Sequence, residues 1–344
     1  GIKTKSMAKT GVVGIIEAKP KGKTILLRAD MDCLPIQEKT GLPFKSRHDG
    51  FMHACGHDAH VAMALGAAIA LSKLRHQLKC NVKLMFQPAE EGPGGAKPMI
   101  DEGVLKNPNV DAAIALHVWS DLQAGQIGIR RDHVLAGADA FRARIIGKGG
   151  HGAAPHQTID PVIAGASFVT SIQAIVSRQI DPLKPAVVTV GKFQSGNRFN
   201  IIPDVAELDG TIRSFDEGII VRIRKLIART LDSVDKRFGT KHTLEFLNYY
   251  PPTINDKKFA EFVSTCASEI VGKHNVVEQP PTLGGEDMSF ILKEVPGAFV
   301  MIGTGNKKKG IVSPHHCATF DIDESSLVLG TDLLVRTVLK FGEM

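Results

Sequence analysis

The stretch HACGHDAHVAMALGAAIAL, residues 53–71, carries the strongest information on fold and chemistry in this chain. Its first part places Cys55 two residues before His57, and an aspartate and a further histidine follow within three residues. A borderline-soft divalent metal selects such a combination of thiol, imidazole and carboxylate groups. The run Val61–Leu71 is rich in alanine and leucine and predicts a buried helix. The alternative is a loop whose histidines are bonded only to backbone carbonyls.

Working outward, three apolar runs predict buried strands, and each ends at side chains that can bind a metal. In an open α/β sheet, functional side chains gather in the crevice outside the carboxyl ends of the strands. We therefore expect these strand ends and the cysteine-histidine segment to converge on one site. The runs and the residues that follow them are Lys23–Leu27 with Asp30 and Asp32, Cys80–Gln87 with Glu90 and Glu91, and Asp111–Leu116 with His117.

The adjacent pair Glu90 and Glu91 has two possible interpretations. Two neighbouring acids usually mark a solvated turn, but these follow a predicted buried strand and precede a glycine-rich segment. In that position one carboxylate can bind a metal while its neighbour serves as a base. Much later in the chain, SPHHCATFDID contains His315 and His316, and either could complete the coordination of a second metal.

Seven motifs now support a resemblance to a known family. The sequence resembles the aminoacylase and carboxypeptidase family of two-metal hydrolases, and within it the N-acyl-amino-acid amidohydrolases, hippurate hydrolases and plant auxin-conjugate hydrolases. The resemblance covers nearly the whole chain in order. Its motifs are HACGHDAH (53–60), QPAEEG (87–92), LHVW (116–119), GKGGHGAAPH (147–156), FNIIPD (199–204) with GTIR (210–213), GGEDMSF (284–290) and the HxxxFDID element (316–323).

The resemblance implies two divalent metal ions per subunit and a set of ligands for them. His315 is the rival of His316 for the last ligand position, because Ala318 stands where the family normally has proline. The resemblance also gives Asp32 the role of an outer carboxylate that orients metal-bound groups. The implied ligands are Cys55, His57, Glu91, His117 and His316.

The remaining site residues also follow from the resemblance. Glu90 is the expected general base, and His151 is expected to stabilise the oxyanion in the site of a neighbouring subunit. Asn200 and Arg213 are expected to hold the α-carboxylate of the substrate, because the planar guanidinium can pair with a carboxylate through two hydrogen bonds. Glu286 and its neighbour Asp287 are expected either near the substrate amine or in support of the metal ligands.

The order of predicted elements divides the chain into two domains, as its length of 344 residues suggests. We predict an α/β catalytic domain of the metallopeptidase type, with a mixed, largely parallel sheet flanked by helices, formed by residues 1–128 and 251–344. Residues 129–250 show the order β-α-β-β-α-β of a ferredoxin-like fold. The resemblance identifies this segment as an inserted lid and dimerisation domain, which implies a homodimer or a dimer-based oligomer.

Composition excludes several other classes of protein. The net charge is +6, but the basic residues are spread along the chain with few aromatic residues between them, so nucleic-acid binding is not expected. No apolar run reaches the roughly 18 to 20 residues that span a bilayer. Five scattered cysteines argue against a disulfide framework and favour a reducing cytoplasm. No signal-peptide pattern opens the chain, although relatives usually have several dozen more residues at the start.

The predicted reaction is metal-dependent hydrolysis of the amide bond of N-acyl-L-amino acids, which releases a free amino acid. The sequence does not choose among manganese, zinc, cobalt and nickel, nor among acetyl, benzoyl and similar acyl groups. Alternatives with the same chemistry are a dipeptidase or carboxypeptidase and an N-acetyl-diaminopimelate deacetylase. A catalytically silent metal-binding assembly protein is the non-enzymatic alternative, and the presence of Glu90 beside a ligand argues against it.

Overall fold

The computed structural model of the protein describes residues 2–19 and 22–344. The strands are β1 (Lys3–Met7), β2 (Gly11–Ile16), β3 (Thr24–Asp30), β4 (Asn81–Gln87), β5 (Ala112–Gln123), β6 (Ile127–Ile129), β7 (His133–Leu135), β8 (Gly137–Ile146), β9 (Gly150–His151), β10 (Ala186–Ser195), β11 (Ile201–Ile202), β12 (Val205–Ser214), β13 (Lys241–Tyr250), β14 (Thr253–Ile254), β15 (Val276–Glu278) and β16 (Gly297–Gly305). The α-helices are α1 (His57–Lys73), α2 (Ala96–Asp101), α3 (Pro161–Gln179), α4 (Glu217–Phe238), α5 (Lys257–Val271), α6 (Met288–Glu294) and α7 (Ser325–Phe341).

The chain divides into two compact units. Unit 1 comprises residues 1–134, 253–281 and 287–344, and unit 2 comprises residues 135–252 and 282–286. The sequence analysis predicted an inserted domain at residues 129–250. The observed second unit begins six residues later than this prediction and also includes the short segment Thr282–Glu286. The last three of these five residues belong to the GGEDMSF motif, and the segment carries no periodic pattern that could assign it to either domain.

Unit 1 is built on an eight-stranded mixed sheet in the order β1-β2-β4-β3-β5-β16-β6-β15. The central strands β4, β3, β5 and β16 are mutually parallel, while β2 runs antiparallel to β4. All seven residues of β3, TILLRAD, are buried, as expected for a parallel strand covered on both faces. Helix α1 packs on this sheet through small and apolar residues and also contacts α7.

Unit 2 contains a four-stranded antiparallel sheet in the order β10-β12-β8-β13, with helices α3 and α4 packed on it. The longer helix, α4, buries one apolar face, and Asp216 caps its start by accepting hydrogen bonds from Gly218 and Ile219. It ends at Gly239, whose φ of 75° gives the left-handed conformation that commonly terminates helices. A separate apolar core, which includes Phe141 and Phe168, lies between this sheet and its helices.

Candidate metal centre

The carboxyl ends of the central strands bring together the side chains that the sequence analysis singled out. Asp30 is the last residue of β3, and the turn after β4 carries the two adjacent glutamates. His117 lies within β5 rather than after it, because β5 continues to Gln123. Neighbouring β3 pairs only with Ala112–Ala115, so His117 lies beyond the last residue that pairs with β3. The extension of β5 is stabilised by its other neighbour, β16, which pairs with it as far as Gln123.

The start of α1 places a thiol and an imidazole beside β5. Cys55 precedes the helix, His57 is its first residue, and Gly56 lies between them with a φ of 82°. This left-handed conformation suits glycine. An added Cβ at Gly56 would also lie 2.3 Å from Cγ2 of Val118, so a larger residue would push the helix start away from β5.

Ligand atoms from distant parts of the chain form overlapping groups at this position. Within each group, the atoms lie within 4.8 Å of one another. Two of the groups share the sulfur of Cys55, as expected for two neighbouring cations with one common ligand. Among the described residues, three of these groups are Cys55 with His57 and His117, Cys55 with Glu91 and His316, and His57 with Glu90 and Glu91.

Hydrogen bonds to the far side of each imidazole orient both histidines toward the cluster. Nδ1 of His57 lies 3.1 Å from Oδ1 of Asp32, and Nδ1 of His117 lies 2.6 Å from the carbonyl oxygen of Val118. An acceptor at Nδ1 favours a proton there and leaves Nε2 as a metal ligand. Nε2 of His117 lies 3.6 Å from the sulfur of Cys55. The other oxygen of Asp32 accepts the backbone N–H of Glu91 at 3.0 Å.

Two buried atoms of the cluster fit a metal ligand role. Among the described residues, His57 Nε2 and Glu91 Oε1 have no hydrogen-bond partner. His316 Nε2 lies 3.1 Å from Glu91 Oε1, close enough to form an ion pair when the imidazole is protonated. A buried polar atom without a partner costs roughly 1–3 kcal/mol, and a bound cation would remove that cost. The donor set of thiol, imidazole and carboxylate therefore fits two borderline divalent cations.

Protonation in this cluster depends on burial and on the nearby carboxylates. Burial, followed by the nearby carboxylates of Glu91 and Asp30, raises the pKa of the Cys55 thiol far above its ordinary value. Burial opposes a charge on His57, but Asp30 and Asp32 outweigh it and raise the pKa of His57 to about 9. A metal would bind the deprotonated thiolate and imidazole, so metal binding should release protons.

Other polar residues of the two histidine motifs are already engaged. His60 uses both ring nitrogens, with Nδ1 2.5 Å from Asp30 Oδ1 and Nε2 accepting the N–H of Val118 at 2.9 Å. His315 lies 3.2 Å from the hydroxyl of Ser120 through Nδ1 and 3.0 Å from the carbonyl oxygen of Val118 through Nε2. Of the two adjacent histidines, His316 is the one that belongs to a ligand group.

All four residues assigned to the substrate or the oxyanion, which are His151, Asn200, Arg213 and Glu286, belong to unit 2. His151 and Asn200 are neighbours there, because Gly152 donates its N–H to the carbonyl of Asn200 and β9 pairs with β11. Both side chains are exposed. Arg213 lies on β12 and is half-buried, and burial lowers its pKa.

A buried polar network beneath the site was not foreseen from the sequence. Arg28 forms ion pairs with Asp30 at 2.7 Å and with Asp287 at 2.8 Å, and it donates to Gln87 at 2.9 Å. The available signal was a charged residue inside the apolar run TILLRAD, since buried charges are normally paired. Glu286, the predicted substrate residue next to Asp287, is also buried, with 2% of its surface exposed.

Comparison with known proteins identifies the family. The model of Peptidase family M20/M25/M40 matches residues 26–340, and the chain belongs to this family. The protein is 42% identical over 336 residues to thermostable carboxypeptidase 1 of Saccharolobus solfataricus, an alignment that covers 97% of this chain and 84% of that one. It is 41% identical over 331 residues to IAA-amino acid hydrolase ILR1-like 4 of Arabidopsis thaliana, covering 95% and 74% of the two chains.

A solved structure supports the same assignment. The Bacillus subtilis YxeP protein, described as a dinuclear metal-binding peptidase of the M20 family, superimposes with a TM-score of 0.84 at 32% identity, covering 100% of this chain and 88% of that one. These comparisons confirm the predicted family and α/β fold class. The protein is an enzyme of this family, a two-metal hydrolase of amide or peptide bonds. In the part of the chain that the structure describes, no helix is both long and apolar enough to cross a membrane.

Proposed function

We propose that this enzyme hydrolyses the amide bond of N-acyl-L-amino acids and that Glu90 is its general base. The observation that carries the proposal is the pair of glutamates after β4. Glu91 offers an oxygen to the group with Cys55 and His316, and Glu90 adjoins His57 in an overlapping group. Glu90 is buried, with 7% of its surface exposed. Two adjacent carboxylates can thus divide the work of metal ligand and base.

The residues that would hold the metals are Cys55, His57, His117, Glu91 and His316. When bound, two divalent cations polarise a carbonyl group and lower the pKa of water. Glu90 takes a proton from the attacking water onto a carboxylate oxygen and returns it to the nitrogen of the leaving amine. Asp32 keeps the His57 ring and the Glu91 backbone in place through its two oxygens.

The assignments in unit 2 rest on the donor atoms that its residues offer. The N–H of Ala153 donates to Nδ1 of His151 at 3.0 Å, so Nε2 carries the proton and is a donor suited to an oxyanion. Nη1 of Arg213 is held by Thr211 and by backbone carbonyls. Among the described residues its Nε and Nη2 make no hydrogen bond, and we propose these two groups, together with the amide of Asn200, as donors to the substrate carboxylate. Glu286 is proposed to face the substrate amine.

Substrate preference can be measured directly. N-acetyl, N-benzoyl and indole-acetyl amino acids should be cleaved, and the matching amino acid amides, which lack the carboxylate, should be cleaved at least tenfold more slowly. Manganese, zinc, cobalt and nickel should each be tested on protein freed of metal. The relative named carboxypeptidase favours peptide hydrolysis as the second candidate, so dipeptides and N-blocked peptides belong in the same panel. Exclusive cleavage of peptides would replace the proposal with that alternative.

We also propose a cytoplasmic homodimer in which His151 acts in the site of the partner. Mixing Glu90→Gln with His151→Ala under conditions of subunit exchange leaves one intact site in each mixed dimer. Random association makes about half of the dimers mixed, so about a quarter of wild-type activity should return. Mass measurement of mixed dimers confirms that exchange has taken place. No recovery in exchanged samples would place His151 in its own subunit's site.

A further inference from the structure

The turn between β4 and α2, which carries the two adjacent glutamates, is closed at its base by the carboxylate of Asp287. Oδ2 of Asp287 accepts the backbone N–H groups of Gly95 and Ala96, both at 2.9 Å. The side-chain amide of Gln87 lies 2.8 Å from both oxygens of Asp287. Gln87 is the last residue before the turn and Ala96 is the first residue of α2. One carboxylate therefore holds both ends of the turn.

The backbone of this turn does not adopt its shape by local preference. Ala89 has a φ of 58°, a left-handed conformation that is unfavourable for alanine, and Gly92 and Gly94 have φ values of 123° and 97°. The two ends of the turn are also in direct contact, because an added Cβ at Gly95 would lie 1.8 Å from the carbonyl oxygen of Pro88. Contacts from outside the turn must maintain this conformation, and Asp287 supplies four of them.

A single guanidinium group ties Asp287 to the other side of the site. Arg28 donates through Nη2 to Asp287 at 2.8 Å and through Nε to Gln87 at 2.9 Å. Its third contact is an ion pair from Nη1 to Asp30 at 2.7 Å. All four side chains are almost fully buried, with at most 3% of the surface of each residue exposed. Charges in such surroundings interact strongly and keep a fixed geometry when every hydrogen bond is made.

The second carboxylate, Asp30, extends the network to the histidine side of the cluster. Its Oδ1 lies 2.5 Å from Nδ1 of His60, and Nε2 of His60 accepts the N–H of Val118 on β5. Its Oδ2 lies 3.8 Å from Nε2 of His57. Arg28 thus joins, through two carboxylates, the glutamate turn to the elements that carry the histidine ligands.

We propose that Asp287 and Arg28 are positioning residues that set the place of Glu90 relative to the metal ligands. They act through the turn and do not themselves exchange a proton with the substrate. Small displacements of a general base reduce turnover strongly, because proton transfer needs hydrogen-bond distance. The inference rests on the proposed function, since turnover is one of its readouts.

The first test is the variant Asp287→Asn, which keeps the size of the side chain. Each hydrogen bond recorded for the Asp287 carboxylate comes from an N–H donor, so the amide group of asparagine has to face one of these donors. We expect kcat to fall at least tenfold, KM to stay within about threefold, and metal content, measured by elemental analysis, to remain near two per subunit. Arg28→Lys, which keeps the charge but loses the three-way geometry, should show a smaller effect in the same direction.

A matched control separates positioning from general loss of stability. Lys83 lies on β4, only four residues before Gln87, and is 1% exposed. Its ammonium donates to the carbonyl oxygens of Val104, Lys106 and Pro108, each at 2.8 Å. Lys83→Met should lower the melting temperature without changing kcat per metal-loaded subunit. If Asp287→Asn lost activity only as Lys83→Met does, in proportion to its folded fraction, the positioning role would be overturned.

A double-mutant cycle tests whether Asp287 acts through Glu90. In the background of Glu90→Gln, adding Asp287→Asn should reduce the residual kcat less than threefold, because the base that it positions is already absent. Independent effects that multiply would contradict the inference. If Asp287→Asn does not fold, Arg28→Lys takes its place in the cycle.

A readout without metal or substrate keeps the two proposals apart. In metal-free protein, hydrogen exchange of the amides of residues 89–96 should be at least tenfold faster in Asp287→Asn than in wild type, and unchanged in Lys83→Met at equal stability. Unchanged exchange would contradict the inference that Asp287 holds the two ends of the turn together. If the wild-type enzyme cleaves no N-acyl amino acid, the proposed function fails. The exchange result alone then shows whether Asp287 holds the turn in place.

Discussion

Replacing Asp32 with asparagine should weaken metal binding about tenfold to a hundredfold without unfolding the protein. Both oxygens of Asp32 accept hydrogen bonds, one from the ring of His57 at 3.1 Å and one from the N–H of Glu91 at 3.0 Å. Asparagine has one acceptor oxygen, so its NH2 group must face one of these two donors. Losing one hydrogen bond to a charged group costs about 1.5–3 kcal/mol. With about 1.4 kcal/mol for each factor of ten, that cost corresponds to the expected loss of affinity.

The physical reason is that Asp32 orients His57 and the backbone of Glu91 in the metal-free protein, so that less order has to be gained when the metal binds. Its contact with Nδ1 of His57 leaves Nε2 for the cation, and its contact with the backbone holds the residue that supplies the carboxylate. In the variant, both the tautomer and the position of the turn are less well defined. The loss should therefore appear in metal affinity, and turnover at saturating metal should change less.

The assay is a competition titration of metal-free protein against a chelator of known affinity, with wild type and variant under the same buffer. Asp58→Asn is the matched control, because Asp58 lies in the same motif but is exposed and, within residues 2–19 and 22–344, accepts only the N–H of Ala59. The control should bind metal within about threefold of wild type, and both metal-free variants should melt near the wild-type temperature. Wild-type affinity in Asp32→Asn would refute the reasoning.

Three further predictions concern catalysis, metal and pH. Glu90→Gln should retain two metals and lose about 10²-fold or more in kcat, because the general base is removed. Glu91→Gln should instead lose metal, which elemental analysis of both variants would show. Equal metal content and equal rates in the two variants would contradict the division of roles. Exhaustive chelation should abolish hydrolysis and lower the melting temperature, and added divalent metal should restore both. Full activity in the chelated, metal-free protein would contradict this prediction. The side-chain amide of Asn306 and then the ammonium of Lys309 hold the pKa of Asp323 well below its ordinary value. The melting temperature of wild type should therefore exceed that of Asp323→Asn most above about pH 5, and the difference should shrink as the pH falls below about 4. A difference in melting temperature that does not change with pH would argue against this.

Much of the catalytic unit was predictable because its signals are local. Buried parallel strands appear as short apolar runs, and the residues just after them lie by topology at one edge of the sheet. The thiol and imidazole at Cys55 and His57 stand two residues apart, so one turn at the start of a helix suffices to place both. The order β-α-β-β-α-β predicted for residues 129–250 is also the order of β8, α3, β10, β12, α4 and β13 in unit 2.

What only the tertiary structure decided depends on contacts between residues far apart in the chain. Arg28 and Asp287 are separated by 259 positions, and neither shows from its neighbours in sequence that they form a buried pair. His315 and His316 are adjacent and chemically identical, and the difference arises because Ser120 and Val118 engage the first ring while the second lies beside Glu91. Local sequence determines which side chains lie at the carboxyl edge of the sheet or in a turn. The folded chain determines which of their polar atoms find partners, and therefore which ones remain for a metal.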